Sequence, residues 1–176
     1  MRKNLLFYIT LSLFYSIKGY ALDYSINISG NVLISPCIIN DGNPINIDFN
    51  DIPTSSVGTD KIKKEIKLAV SCGYYGALPY VKLTGNKLEG IDNVIATNIK
   101  GFGIALYQGA GTTTKLLIGE GKVTGQGGIG YRITDGISGG PGSLTFTFTA
   151  IPFSSTPNML EAGSFSATAN LSIIYS

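Results

Sequence analysis

The last fourteen residues, Gly163 to Ser176, carry the pattern that most restricts the fold. Every second position is small or apolar: Gly163, Phe165, Ala167, Ala169, Leu171, Ile173 and Tyr175. The positions between are Ser164, Ser166, Thr168, Asn170, Ser172, Ile174 and Ser176, so only Ile174 breaks the alternation. Strand side chains alternate between faces, so this period of two specifies one face for a core and one for water. The segment exceeds the usual strand of about 5–6 residues, and no loop follows to cover its edge. A long edge with an apolar face pairs readily with other chains. The pattern therefore predicts either a fold that covers this edge or a partner strand made to pair with it.

The other end of the chain holds a second segment of this kind, behind a leader. Arg2 and Lys3 precede an apolar run from Leu5 to Ile17, and small residues follow at Gly19 and Ala21. This reads as a secretory signal peptide over residues 1–21, cleaved after Ala21 or after Leu22. A transmembrane helix is the alternative, but thirteen residues at about 1.5 Å each fall short of a hydrocarbon layer about 30 Å thick. Loss of residues 1–21 removes Arg2, Lys3 and Lys18, so the formal charge of +2 falls by three to −1. No basic surface for nucleic acid remains to be explained. The run Lys61–Lys67 reads as the solvated face of a strand, without the interleaved aromatics of a single-strand binder. Residues 22–34 then alternate: Tyr24, Ile26, Ile28, Gly30 and Val32 on one face, polar residues between them. Gly30 interrupts that face and permits close backbone approach.

The remainder reads as one domain of short strands over residues 35–176. Alternating segments occur at Ile45–Phe49, Ile66–Cys72, Tyr80–Thr84 and Leu144–Thr149, the last ended by Ile151-Pro-Phe153. Val94–Ile99 and the short Lys115–Ile118 add further strand-like segments, and Phe102–Tyr107 is apolar on both faces. Turns are marked by Asn40–Pro44, Gly73–Gly76 and Thr156–Asn158, and residues 50–60 read as a polar loop. No stretch sustains a 3.6-residue apolar period. With 23 glycines, this argues for an all-β sandwich. The chain has two cysteines, Cys37 and Cys72, and in an exported protein they suggest one disulfide. The chain-entropy model gives such a bridge about 3.5–4 kcal/mol. Two free thiols is the alternative.

Catalytic and cofactor motifs are missing. With no histidine, neither a Ser-His-Asp nor a Cys-His arrangement is available. Gly125–Gly130 matches G-x-G-x-x-G formally, but Tyr131-Arg-Ile-Thr follows rather than the helix a dinucleotide site requires. Lys122 is followed by Val123, which breaks the phosphate-loop motif. Two thiolates do not complete a zinc shell, and the scattered carboxylates match neither a calcium loop nor a glycosidase pair. No catalytic, metal or cofactor residue is assigned. An exported all-β chain of this kind reads as a binding or structural module.

Together these residues resemble the pilin family of chaperone–usher fimbriae. The hallmarks are a signal peptide, an alternating N-terminal extension, one disulfide near the start of the domain, and a C-terminal alternating strand. That strand has a glycine fourteen residues from the end and a penultimate tyrosine, here Gly163 and Tyr175. Within the family, Asn27–Val32, Pro36–Asn40, Ala96–Ile99, Phe102–Gly109, Gly130–Thr134, Phe146–Thr149 and Pro152-Phe153 look like the minor adaptor subunits of P-type pili. Such subunits join a tip adhesin to the tip fibrillum.

The resemblance implies an incomplete immunoglobulin-like sandwich that lacks its last strand. A periplasmic chaperone would fill the gap first and bind the terminal carboxylate of Ser176. At the outer-membrane usher, the N-terminal extension of a neighbouring subunit would replace the chaperone strand. The inserting residues of this chain's own extension would be Tyr24, Ile26, Ile28 and Val32, with Gly30 at a tight spot. Gly163, Phe165, Ala167, Ala169, Leu171, Ile173, Tyr175 and Ser176 would form the edge that meets the chaperone and then the donor strand. The product is a subunit of the cell-surface fimbrium, with no nucleic-acid partner and no stable membrane insertion. For residues 22–34, a plain first strand of the chain's own domain is the alternative. For the whole, the alternatives are another pilin, a secreted glycan-binding module, or a hydrolase.

Overall fold

The computed structural model describes residues 24–33, 35–73, 78–125, 127–140, 142–156 and 159–176. The expected signal peptide and parts of two expected turns, at residues 74–77 and 157–158, lie outside these residues. The chain divides into two units, one ending at Val32 and one beginning at Leu33. In the first, residues 24–32 form no helix or strand.

The second unit is all-β among its described residues. Its strands are β1 (Ile38–Ile39), β2 (Lys64–Ser71), β3 (Pro79–Gly85), β4 (Val94–Ala96), β5 (Phe102–Gln108) and β6 (Thr114–Lys115). There follow β7 (Val123–Thr124), β8 (Gly127–Gly128), β9 (Tyr131–Arg132), β10 (Ile137–Gly140), β11 (Ser143–Ser154) and β12 (Ala169–Tyr175). One sheet runs β1-β2-β11-β5-β4, with β10 on β11 and β6 on β5; the facing one runs β12-β3-β9, and β7 and β8 form a separate two-stranded ribbon. All the named ladders are antiparallel. This is the incomplete immunoglobulin-like sandwich.

The alternation read in the sequence sets which residues meet between the sheets. On β2, Ile66 is half-buried while Leu68 and Val70 are buried, and Lys64, Glu65, Lys67 and Ala69 are exposed. Leu68 and Val70 stand opposite Phe146 and Leu144 of β11. On β12, Ile173 is opposite Val81 of β3, and both are fully buried. Phe102–Gln108, apolar on both faces, is buried at every position but Tyr107. It lies between β11 and β4, so neither edge is free.

Several elements differ from the reading of the sequence. β11 is not ended by Ile151-Pro-Phe153 but runs through it to Ser154. Proline cannot donate to a ladder, so it is tolerated where a strand has a partner on one side only. β2 leaves β11 at Ala150, and only β5 pairs beyond. The Pro152 carbonyl instead accepts the N–H of Gly58 at 2.9 Å. β10 was hidden because Ile137-Ser-Gly-Gly140 has turn composition; it forms as the first arm of a hairpin with β11. Val94–Ile99 shortens to Val94–Ala96, since Thr97 begins the turn into β5. Lys115–Ile118 contributes little ladder, though Leu116 and Ile118 are buried. The loop over residues 50–60 contains a 3₁₀ turn at Thr54–Ser56, and a second starts at Asp60. The glycine-rich residues 119–130 contain the β7–β8 hairpin and no helix among their described residues.

Cys37 and Cys72 form a disulfide with Cα atoms 4.3 Å apart. It closes a loop of sequence separation 35, for which chain entropy gives about 3.5–4 kcal/mol. The bridge sits where one segment serves both sheets. Cys37 donates its N–H to Ile173 of β12 at 2.7 Å, and two residues on Ile39 pairs with Val70 of β2.

Candidate functional site

The last strand is shorter than its alternation. The pattern begins at Gly163, but the ladder begins at Ala169, opposite Gly85. Gly85 is the last residue of β3, so the preceding residues of the C-terminal segment have no strand to pair with there. Burial follows the same gradient. Tyr175 and Ile173 are buried and Leu171 is half-buried, whereas Ala169, Ala167 and Gly163 are exposed. Phe165 is half-buried because its ring meets Phe102 edge-on at 5.0 Å and Phe49 at 6.4 Å.

The open stretch is one wall of a groove of about 1100 Å³. Residues 165–172 line one side and residues 36–39 and 42–49 the other. The floor consists of Leu83, Ile95, Ile104, Leu106, Leu116 and Phe148, all from the core between the sheets. Ile45–Phe49 corrects the reading of the sequence. Its alternation is real, with Ile45, Ile47 and Phe49 half-buried and Asn46 and Asp48 exposed. It is not a strand of either sheet, because no described strand lies beside it. The signal visible in the sequence was the one that builds the second wall.

Main-chain geometry gives each wall residue a direction. Ser176 and Leu78 exchange both hydrogen bonds, at 3.0 and 3.3 Å. In an antiparallel pair such exchanges recur at every second residue. The even-numbered residues of β12 therefore point their N–H and C=O at β3. The odd-numbered ones point away, and Ile173 does so by accepting the Cys37 N–H. Leu171, Ala169, Ala167 and Phe165 thus turn side chains toward the core face and main-chain groups toward the groove. A strand laid between the walls would find these groups in register.

Ser176 lies half-buried at the end of this strand. Tyr24, Ile26, Ile28 and Val32 are 82%, 83%, 92% and 94% exposed, so none is a core residue of the described structure. A side chain at Gly30 would meet nothing within 4 Å. No group of three or more metal-ligating side chains occurs among the described residues. No described helix is long and apolar enough to cross a membrane. The buried polar side chains serve the fold: Gln108 bonds the backbone of Thr134, Asp135, Lys115 and Arg132. Asn93 donates to the Leu106 carbonyl, and Thr149 to that of Gly109.

An immunoglobulin-like sandwich with one strand's place left open is the architecture of a fimbrial subunit. The family model described as fimbrial protein matches residues 26–176, and the chain belongs to that family. It is therefore a subunit of the cell-surface fimbrium. It is 42% identical to the minor fimbrial protein PrsF of Escherichia coli over 172 residues, which is 95% of this chain and 99% of that one. It is 41% identical to the fimbrial adapter PapF of Escherichia coli over the same shares. Among solved structures it is similar to the P pilus adaptor subunit PapF, at 36% identity and a TM-score of 0.56. That likeness covers 83% of this chain and all of that one. The P pilus rod subunit PapA shares the fold, with a TM-score of 0.55 at 21% identity.

Proposed function

We propose that this chain is the minor adaptor of its fimbria. It takes the donor strand of one neighbour into its groove and gives its own extension to another, so that a tip adhesin is joined to the tip fibrillum. The observation that carries this is the groove of about 1100 Å³ between residues 36–49 and 165–172, with an apolar floor and a wall whose main-chain groups face inward. The periplasmic chaperone is its first occupant, with Ser176 at the carboxylate end, and the usher is where exchange occurs. The disulfide-closed domain from residue 35 onward supplies the acceptor. Residues 22–34 supply the donor, with Tyr24, Ile26, Ile28 and Val32 as inserting side chains and Gly30 at a tight place. Burying four such side chains yields about 6–12 kcal/mol before ordering costs, and ladder bonds add to it. The role is structural rather than enzymatic, in keeping with curated relatives that are fimbrial subunits.

The test presents the chaperone-bound subunit with N-terminal extension peptides from fimbrial subunits of the same bacterium. Displacement of the chaperone by at least one extension is expected, and the 22–34 peptide should enter the groove of a different subunit. A stable, soluble, chaperone-free monomer that binds none of these peptides would overturn the reading.

A further inference from the structure

Beyond Gly85 the groove wall has lost its partner strand, yet residues 164–166 are held. The Asn98 side chain donates from Nδ2 to the Ser164 carbonyl at 3.0 Å, and its Oδ1 accepts the Ser166 N–H at 2.8 Å. One amide side chain thus makes the two bonds that a neighbouring strand would make to the residues flanking Phe165. Asn98 is itself fixed by the turn between β4 and β5. The Thr97 hydroxyl donates to the Phe102 carbonyl at 3.0 Å and accepts the Ile99 N–H at 3.1 Å, and the Phe102 N–H returns to the Ile99 carbonyl. Phe102, the first residue of β5, carries the ring against which Phe165 rests.

We propose that Asn98 is a positioning residue for donor-strand uptake: its amide substitutes for the missing end of β3 and presents the Phe165 and Ala167 main-chain groups to the incoming strand. The even-numbered groups of the wall point toward Asn98 and β3, which leaves the odd-numbered ones directed into the groove. Without the clamp, residues 163–168 would have to be ordered by the donor itself, and that ordering weakens binding. This rests on the proposed role of the groove as a strand acceptor.

The test uses the full subunit bound to its periplasmic chaperone, as wild type, Asn98→Ala and Asn98→Asp, with the fimbrial extension peptides as probes. Two readouts are followed: deuterium exchange at the Ser166 amide and dissociation of the bound peptide. In Asn98→Ala both should accelerate about fivefold or more, from loss of two net hydrogen bonds. The amides of the β2–β11 ladder should stay unchanged. Asn98→Asp keeps the acceptor for Ser166 and loses the donor to Ser164. It should retain Ser166 protection and show an intermediate dissociation rate. Wild-type behaviour of Asn98→Ala, or equal loss of protection in the β2–β11 ladder, would overturn the proposal. If the alanine chain does not accumulate, loss of Ser166 protection in Asn98→Asp overturns it. A wild-type subunit that accepts no peptide refutes the strand-acceptor reading instead, while Ser166 exchange in the chaperone complex still tests the clamp.

Discussion

At the scale of single residues, the charged surface and the glycines behave differently. Lys87 and Asp92 form a direct ion pair at 2.7 Å, on either side of the turn before β4. The hydrogen bond and charge of Lys87 hold the Asp92 carboxyl below its ordinary value of 3.8, and the same bond and charge raise Lys87 above 10.5. A lowered carboxyl value stabilises the fold above 3.8, and that contribution is lost as pH falls through the folded value. A raised lysine value stabilises it below 10.5, and the contribution is lost as pH rises through the folded value. Both groups are solvent-exposed, so screening keeps this contribution to stability small, and it is read best by titration. Replacing Lys87 with Met should return Asp92 toward 3.8 in an NMR titration, and salt should shrink the wild-type shift. An unmoved titration would show that the pair does not hold in solution. Gly130 is constrained by space. It has φ +94°, and a Cβ there would collide with the Val81 backbone of β3. Neither constraint is visible in the run Gly125–Gly130, which in sequence differs little from a nucleotide loop.

At the scale of elements, the C-terminal strand consists of two halves with different duties. Ile173 is fully buried against β3, so Ile173→Ala should cost about 2–5 kcal/mol. That loss should appear in thermal unfolding of the subunit whether the chaperone or an extension peptide fills the groove. Ala167 is exposed beside the groove, so Ala167→Glu should leave the β2–β11 ladder intact and impair only strand uptake. Equal effects of both substitutions on peptide dissociation would contradict the division. Period-two alternation made this element legible along its whole length, because the same side-chain rule applies to a paired strand and to one awaiting a partner. For that reason the sequence could not show where pairing stops. Ile45–Phe49 illustrates the same ambiguity: its alternation reads as a strand, and only the absence of a neighbouring strand makes it a wall. Asn98 lies in Ala96–Ile99, one of the segments that carry the resemblance, but nothing local showed what its side chain would contact. It is a polar residue in a turn, and its partners lie 66 and 68 residues away.

For the whole molecule, the proposed acceptor groove and the proposed donor extension together would make the chain a linker rather than a terminus. The extension shows exposed apolar side chains at Tyr24, Ile26, Ile28 and Val32, outside any core, while the groove lies within the unit that begins at Leu33. If the two ends act independently, each can be disabled without the other. Ile28→Asp places a charge where the proposed donor would bury an apolar side chain, and a buried unpaired carboxylate is strongly disfavoured. Such a subunit should take up an incoming extension peptide at a rate within about twofold of wild type, yet fail to fill the groove of its neighbour. Ala167→Glu should show the reverse: intact donation and failed acceptance. Mixing the two variants with wild-type neighbours and sizing the products would then give short assemblies blocked at opposite ends. A single variant that abolishes both exchanges would show that the ends are coupled, and the chain would have to be understood as one switch rather than two independent joints.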